Sequence, residues 1–288
     1  MNNESRYSHS QGLKLLEAAV KEYGPLFTLE QIKPLANTMK LSTSPLHYLM
    51  STLADAGWIE ILKRGTYLVK SPLYSEEVPI YAIAAALIQP MAISHWSACS
   101  HHGFTTQNPV MVQAITPMKV ITPEMRLGKA HSPRGGAVWT VSGNDFEFIH
   151  VAPSLFWGFQ KLWVNSWQQV NITDRERTAL DLIARPDIFG GFSAAIEILE
   201  NAINQINVDH LVNYALKYNV GSVIKRLGWS LENLGYTGNS LERLRVYPVK
   251  RYYLLDPSRE ETSANKNSRW HISENLKRRC SRCFIHIS

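Results

Sequence analysis

The first seventy residues are punctuated so closely that few arrangements are open to them. Ser10 can cap a helix whose apolar positions Leu13, Leu16, Ala19, Val20 and Tyr23 follow 3.6-residue spacing. Gly24-Pro25 stops it, Gly by permitting a left-handed residue and Pro by refusing to continue. Thr28-Leu29-Glu30-Gln31 has the S/T-x-x-E/Q form of a capping box and predicts a short second helix, with Leu29, Ile32 and Leu35-Ala36 inward. Ser44 before Pro45 predicts a third start, because proline at the first helical position forfeits no hydrogen bond. That helix turns Leu46, Leu49, Met50 and Leu53 inward and ends at Asp55-Ala56-Gly57. Two β-prone runs, Trp58 to Leu62 and Thr66 to Val69, then flank Lys63-Arg64-Gly65 and read as a hairpin.

Three helices followed by a hairpin is the order of a winged helix-turn-helix, in which the third helix enters the major groove and the hairpin tip meets phosphate or minor groove. The expectation is therefore an α+β chain: a winged helix-turn-helix over residues 1–72, then a larger mixed α/β domain over 76–275. On this reading Ser44, His47, Tyr48 and Ser51 face DNA, with Lys40 ahead of them and Lys63 and Arg64 at the wing tip. Hydroxyls and imidazole hydrogen-bond bases, but the set lacks the Arg and Asn forks of sharp readout, so DNA shape and paired half-sites would share the specificity. A winged helix that docks protein, or only spaces domains, is the alternative.

Charge is unevenly placed. The 288 residues carry a formal +6, of which residues 1–75 hold +2, residues 76–224 hold −3 and residues 225–288 hold +7. Lys225, Arg226, Arg243, Arg245, Lys250 and Arg251 thus form a second candidate basic surface for DNA, RNA or an acidic protein, because clustered cations release counterions from a polyanion. A solvated, solubilising face is the plain alternative. Hydrophobic residues at 45% and charged residues at 19% exclude a largely disordered chain. The most apolar stretch, Val78 to Ile93, is interrupted by Gln89-Pro90 and reads as a core helix, not a membrane span. Without a basic start and apolar segment at Met1-Asn2-Asn3, and with three cysteines, the expected setting is cytoplasmic and reducing.

Further along, strands are expected within Val110 to Thr122 and over 137–141 and 146–151, with a turn at 142–145. Helices are expected over 94–102, after a second capping box at Thr173-Asp174-Arg175-Glu176, and over 192–203, 208–218 and 220–234. Arg177 and Asp181, four apart, are expected to pair on an outer helix face for about 0.2–0.5 kcal/mol. His95, Cys99, His101 and His102 have spacing that can hold zinc, but a buried helix is the favoured reading. Cys280-Ser281-Arg282-Cys283 is a single C-x-x-C without a second pair, half a zinc site at most, and is read as part of a loose basic tail over 276–288. Phe156, Trp157, Phe159, Trp163 and Trp167 are read as core rather than base-stacking residues. Arg134-Gly135-Gly136 is a turn, and no hydrolase elbow, zincin, P-loop or dinucleotide motif is present. The expectation is a non-enzyme with no cofactor and no metal. A metal-dependent nuclease around Asp256 is the enzymatic alternative.

Several segments resemble the AbiEi antitoxins. His95-Trp96-Ser97-Ala98-Cys99-Ser100-His101-His102-Gly103-Phe104-Thr105 is similar to that family's S-A-L-x-x-H-G-L-T stretch. Ile172 to Ile183 with Pro186 and Gly190-Gly191, and Ile224 to Gly235, resemble it in the same order, as do Tyr253-Leu254-Leu255-Asp256-Pro257 and Arg269-Trp270-His271-Ile272. The resemblance covers roughly residues 10–275, and the chain departs from it beyond Asn275. It implies a bacterial antitoxin of an abortive-infection operon. In such proteins the N-terminal domain binds inverted promoter repeats and represses the operon. The C-terminal domain counters a nucleotidyltransferase-class toxin without a stable complex.

Overall fold

A computed structural model describes residues 3–70, 74, 77–128, 136–260 and 265–276, with the side chains of residues 3–10 left aside. It is a mixed α+β structure whose chain divides into two compact units, Met1–Ile93 with Val110–Phe156 and Gln160–Ile172, and Ser94–Pro109 with Trp157–Phe159 and Thr173–Ser288. The units are interleaved in sequence rather than split at residues 72–76.

The first unit opens with α1 (Asn3–Tyr23), which starts seven residues before Ser10 and so does not use Ser10 as its cap. β1 (Leu26–Thr28) follows, then α2 (Leu29–Thr38), whose capping box is complete: Thr28 Oγ1 accepts from the Gln31 amide, and Gln31 Oε1 accepts from the Thr28 amide at 2.8 Å. The third helix, α3 (Thr43–Asp55), begins two residues earlier than Ser44-Pro45 implied, with Ser42 at the cap position making no side-chain bond. Pro45 still lies in the first turn, where amides lack helical partners, so it costs no hydrogen bond. The hairpin of β2 (Ile59–Lys63) and β3 (Thr66–Val69) turns through Arg64-Gly65, Gly65 taking the left-handed φ of 74°. β1 pairs antiparallel with β3, so the sheet runs β1-β3-β2. At three residues, β1 is too short to show a periodicity. Leu15, Leu16, Phe27, Ile32, Leu46, Leu49, Met50 and Leu53 close one core beneath these elements.

The same unit then forms α4 (Ile80–Leu87) and β4 (Ala92–Ile93) before the chain leaves it for α5 (His95–His102). It returns in β5 (Val112–Thr116), α6 (Pro123–Arg126), β6 (Gly136–Val141), β7 (Asn144–His150), β8 (Phe159–Trp163) and β9 (Gln169–Thr173). These strands make a mixed sheet in the order β6-β7-β5-β4-β9-β8. The strand expected up to Thr122 stops at Thr116, because Thr122 instead caps α6 by accepting from the Met125 amide.

The second unit is helical: α5, then α7 (Arg175–Ala184), α8 (Phe192–Ala202), α9 (Val208–Tyr218), α10 (Gly221–Asn233) and α11 (Asn239–Arg245). A small sheet of β10 (Tyr253–Leu254), β11 (Asn265–Asn267) and β12 (Ile272–Glu274) completes it, in the order β10-β12-β11. The cap of α7 is Asp174, not Thr173: its carboxylate accepts from the Arg177 amide at 2.7 Å while Thr173 ends β9. Residues 177–183 of α7 are all buried, as are 223–228 of α10, so both helices are packed on every side.

Gly228 in α10 is a point of closest approach. A Cβ there would lie 2.0 Å from Trp270 Cζ3 and 2.5 Å from two further ring atoms. Trp270 is fully buried and donates from Nε1 to Glu232 at 2.6 Å, so the ring has no room to retreat. On an open helix, Gly to Ala stabilises by roughly 1 kcal/mol. Here overpacking wins, and Gly228→Ala is expected to destabilise by about 1–3 kcal/mol in urea unfolding. A stabilised variant would show that α10 slides freely past the indole.

Candidate nucleic-acid interface

The outward stripe of α3 carries Ser44, His47, Tyr48 and Ser51, spaced i, i+3, i+4 and i+7, and all four are exposed. Tyr48 is 72% exposed, although tyrosine in a lone helix would pack if a surface were offered. The opposite face is fixed by Leu46, Leu49, Met50 and Leu53, so the stripe cannot roll inward. Lys40 is exposed just before α3 in a left-handed conformation, φ 61°. Asp55, exposed and one turn beyond Ser51, puts a negative charge on the same stripe.

At the hairpin the two cations expected at the tip separate. Arg64 is exposed in the turn, but Lys63 is half-buried and its Nζ donates 2.7 Å to the carbonyl of Leu87, the last residue of α4. An ammonium there satisfies one of the helix's unpaired C-terminal carbonyls. Burial also pushes the Lys63 amine below its ordinary value. Lys63 is therefore an internal tie of this unit, not a phosphate contact. Lys70 is neutralised too, 2.7 Å from Glu60 Oε2. Burial alone would raise the Glu60 carboxyl, but hydrogen bonds from Lys70 and the Ser142 amide hold it below the usual carboxylate value. Lys40 and Arg64 are left as the cations of this face that the sequence singled out and that carry no side-chain bond within the described residues.

The second basic set does not form one surface. Lys225 and Arg226 lie inside the second unit, 1% and 7% exposed, because α10 is buried all round. Lys225 Nζ donates to the carbonyls of Leu244 and Arg245, closing the end of α11, and Arg226 Nε donates 3.0 Å to the carbonyl of Leu254. Burial lowers the pKa of both groups. Arg245 is exposed but paired with Glu242. Arg243, Lys250 and Arg251 remain exposed, with the Arg251 guanidinium 5.4 Å over the Tyr253 ring.

The remaining chemical signals resolve individually. His95 and Cys99 are buried beside α7, His102 Nε2 is 2.7 Å from the Thr173 carbonyl, and His101 is exposed. Burial lowers the His95 imidazole to about 4 and raises the Cys99 thiol, so both are neutral packing groups. Among the described residues no group of three or more His, Cys, Asp or Glu side chains is placed to hold a metal ion. Asp256 is buried and accepts from the Phe192 and Ser258 amides, with Arg259 at 3.3 Å, so its lone pairs are spent on the fold. Trp163 is 63% exposed on β8, against the expectation of a core ring, since β8 is an edge strand. Trp157 is half-buried, with Arg177 and Lys217 each over its ring at 4.8 and 4.2 Å. Cys280, Cys283 and Arg134 lie outside the described residues.

The structure is thus of the α+β class, with an exposed polar stripe on α3 and exposed Lys40 and Arg64 in the same unit. It is similar over 92% of both chains to the crystal structure of the Rv2827c protein from Mycobacterium tuberculosis, with a TM-score of 0.62 at 14% identity. That likeness establishes a shared fold. No family model and no curated protein matches the chain. No helix among the described residues is long and apolar enough to cross a membrane.

Proposed function

We propose that the protein is a DNA-binding autorepressor that doubles as the antitoxin of a bacterial toxin–antitoxin operon, with the N-terminal segment acting as a winged helix-turn-helix. The observation that carries the DNA-binding part is the exposed stripe of Ser44, His47, Tyr48 and Ser51, flanked by exposed Lys40 and Arg64 and backed by its own core. The element order α1-β1-α2-α3-β2-β3 supports the same reading, since it presents one helix and one hairpin turn together. The antitoxin part rests on the AbiEi resemblance, and the nucleotidyltransferase-class toxin would be a functional partner rather than a stably bound one. In this reading the protein is cytoplasmic, needs no cofactor and carries no catalytic residue.

On this face the two cations that the sequence singled out and that have no side-chain partner among the described residues, Lys40 and Arg64, predict modest electrostatics. Each phosphate contact contributes about 0.9 to the slope of log affinity against log salt, so the side chains named here account for a slope of roughly −2 per copy. Arg64→Ala is expected to flatten that slope by about one unit and to weaken operator and scrambled DNA together. A salt-series gel shift with the DNA upstream of the gene, against scrambled DNA of equal length and with added magnesium, tests it. Equal, salt-fragile binding to both probes would overturn autorepression. Absence of any DNA binding would favour protein docking through α3, and cut DNA would favour a nuclease.

A further inference from the structure

The small sheet of the second unit carries the other unclaimed cations. Tyr252, which leads into β10, is 38% exposed, and its ring meets that of His271 at 5.4 Å with 38° between the planes. Lys266 on β11 places its ammonium 5.7 Å over the same Tyr252 ring. The sheet holds these three together: Tyr253 pairs with Ile272 and Lys266 with Ser273, and the Tyr253 amide donates 2.9 Å to the His271 carbonyl. Beside them Lys250 and Arg251 are exposed. Among the described residues Lys250, Arg251 and Lys266 have no acidic partner, whereas Arg245, Arg259 and Arg269 each have one. The acid nearest in the sheet, Glu274, is already accepting from the Trp229 indole and the Asn267 amide.

We propose that this sheet is a stacking platform for single-stranded nucleic acid, with a base on Tyr252 beside His271 and phosphates at Lys250, Arg251 and Lys266. An aromatic face next to cations with no carboxylate partner among the described residues combines the two parts that sequence-tolerant single-strand binding uses, a ring for the base and charge for the backbone. Duplex DNA does not suit it, because a paired base keeps its faces inside the stack. The occupant is thus distinct from the duplex proposed for α3. The sequence put Lys250 and Arg251 with Lys225 and Arg226 on charge alone. It missed Tyr252, Lys266 and His271 because strand pairing, not proximity along the chain, brings residues 252, 266 and 271 together.

The test is fluorescence anisotropy of the full chain with labelled twelve-nucleotide oligo(dT) and oligo(U), in a salt series and with unlabelled duplex as competitor. Tyr252→Ala is expected to weaken single-strand binding about 5- to 150-fold, the range for losing one stacked base. Tyr252→Phe should retain it, since the ring and not the hydroxyl does the stacking. Lys250→Ala and Arg251→Ala should each flatten the salt slope by about 0.7. Arg64→Ala should leave single-strand binding unchanged, so failure of the α3 reading and failure of this one are separable. Single strands that do not bind, that bind Tyr252→Ala as tightly as the parent, or that are displaced by equimolar duplex would overturn the platform.

Discussion

Asp181→Ala is expected to lower the unfolding free energy by about 3–5 kcal/mol, the cost of removing one partner of a buried ion pair. Arg177 is 1% exposed, and its Nε donates 2.9 Å to Asp181 Oδ1 in a helix packed on every side. One guanidinium nitrogen donates 2.8 Å to the Trp157 carbonyl, and the Trp157 and Tyr218 rings lie 4.8 and 5.6 Å from its carbon. These groups orient the cation but supply no counter-charge. Without the carboxylate, the buried guanidinium would lose the acid that its Nε is aimed at. The cycle matters more than the single variant: Arg177→Met with Asp181→Leu is expected to cost less than Asp181→Ala alone, because the pair is removed together. Urea unfolding of the four proteins measures it. A loss below about 0.5 kcal/mol for Asp181→Ala, the value of an exposed i,i+4 pair, would mean that water reaches the pair.

That pair also shows where reading the chain stops. Spacing alone made Arg177 and Asp181 partners correctly, but it put them on an outer face. A helix in the middle of others has no outer face, and nothing local in residues 175–184 states how many neighbours α7 will have. The same blindness misplaced Lys225 and Arg226, whose charges are used on carbonyls of α11 and β10 that are 19 to 28 residues away. Lys63 repeats the pattern, its target Leu87 lying 24 residues on. By contrast, local chemistry was legible wherever the cause is local. The capping box at Thr28, the break at Gly24 and the hairpin turn at Arg64-Gly65 fall where their residues put them. The outward stripe of α3 was readable for the same reason, since one apolar face of a thirteen-residue helix defines the other.

Stability is expected to fall by roughly 2–3 kcal/mol between pH 7 and pH 4.5 through His95 alone. The imidazole is buried at the start of α5, sharing a 2.8 Å hydrogen bond with Ser94 and stacking 5.9 Å from Phe189. Burial is the main cause that takes it from 6.5 to about 4; Arg185 and Arg177 push the same way, and Asp181 and Asp187 oppose them. With the folded value depressed, the unfolded chain binds a proton that the native state refuses. The contribution is therefore complete above about pH 6.5 and drains away as pH falls towards 4. His102 is lowered by burial as well and steepens the same window. His95→Asn isolates the main term, because asparagine tolerates the left-handed φ of 50° at this position and does not titrate. Urea midpoints at pH 7 and pH 4.5 should converge in that variant relative to the parent. If both proteins lose the same stability over that interval, His95 takes up its proton without unfolding, and its site must open to water by a local movement of α5.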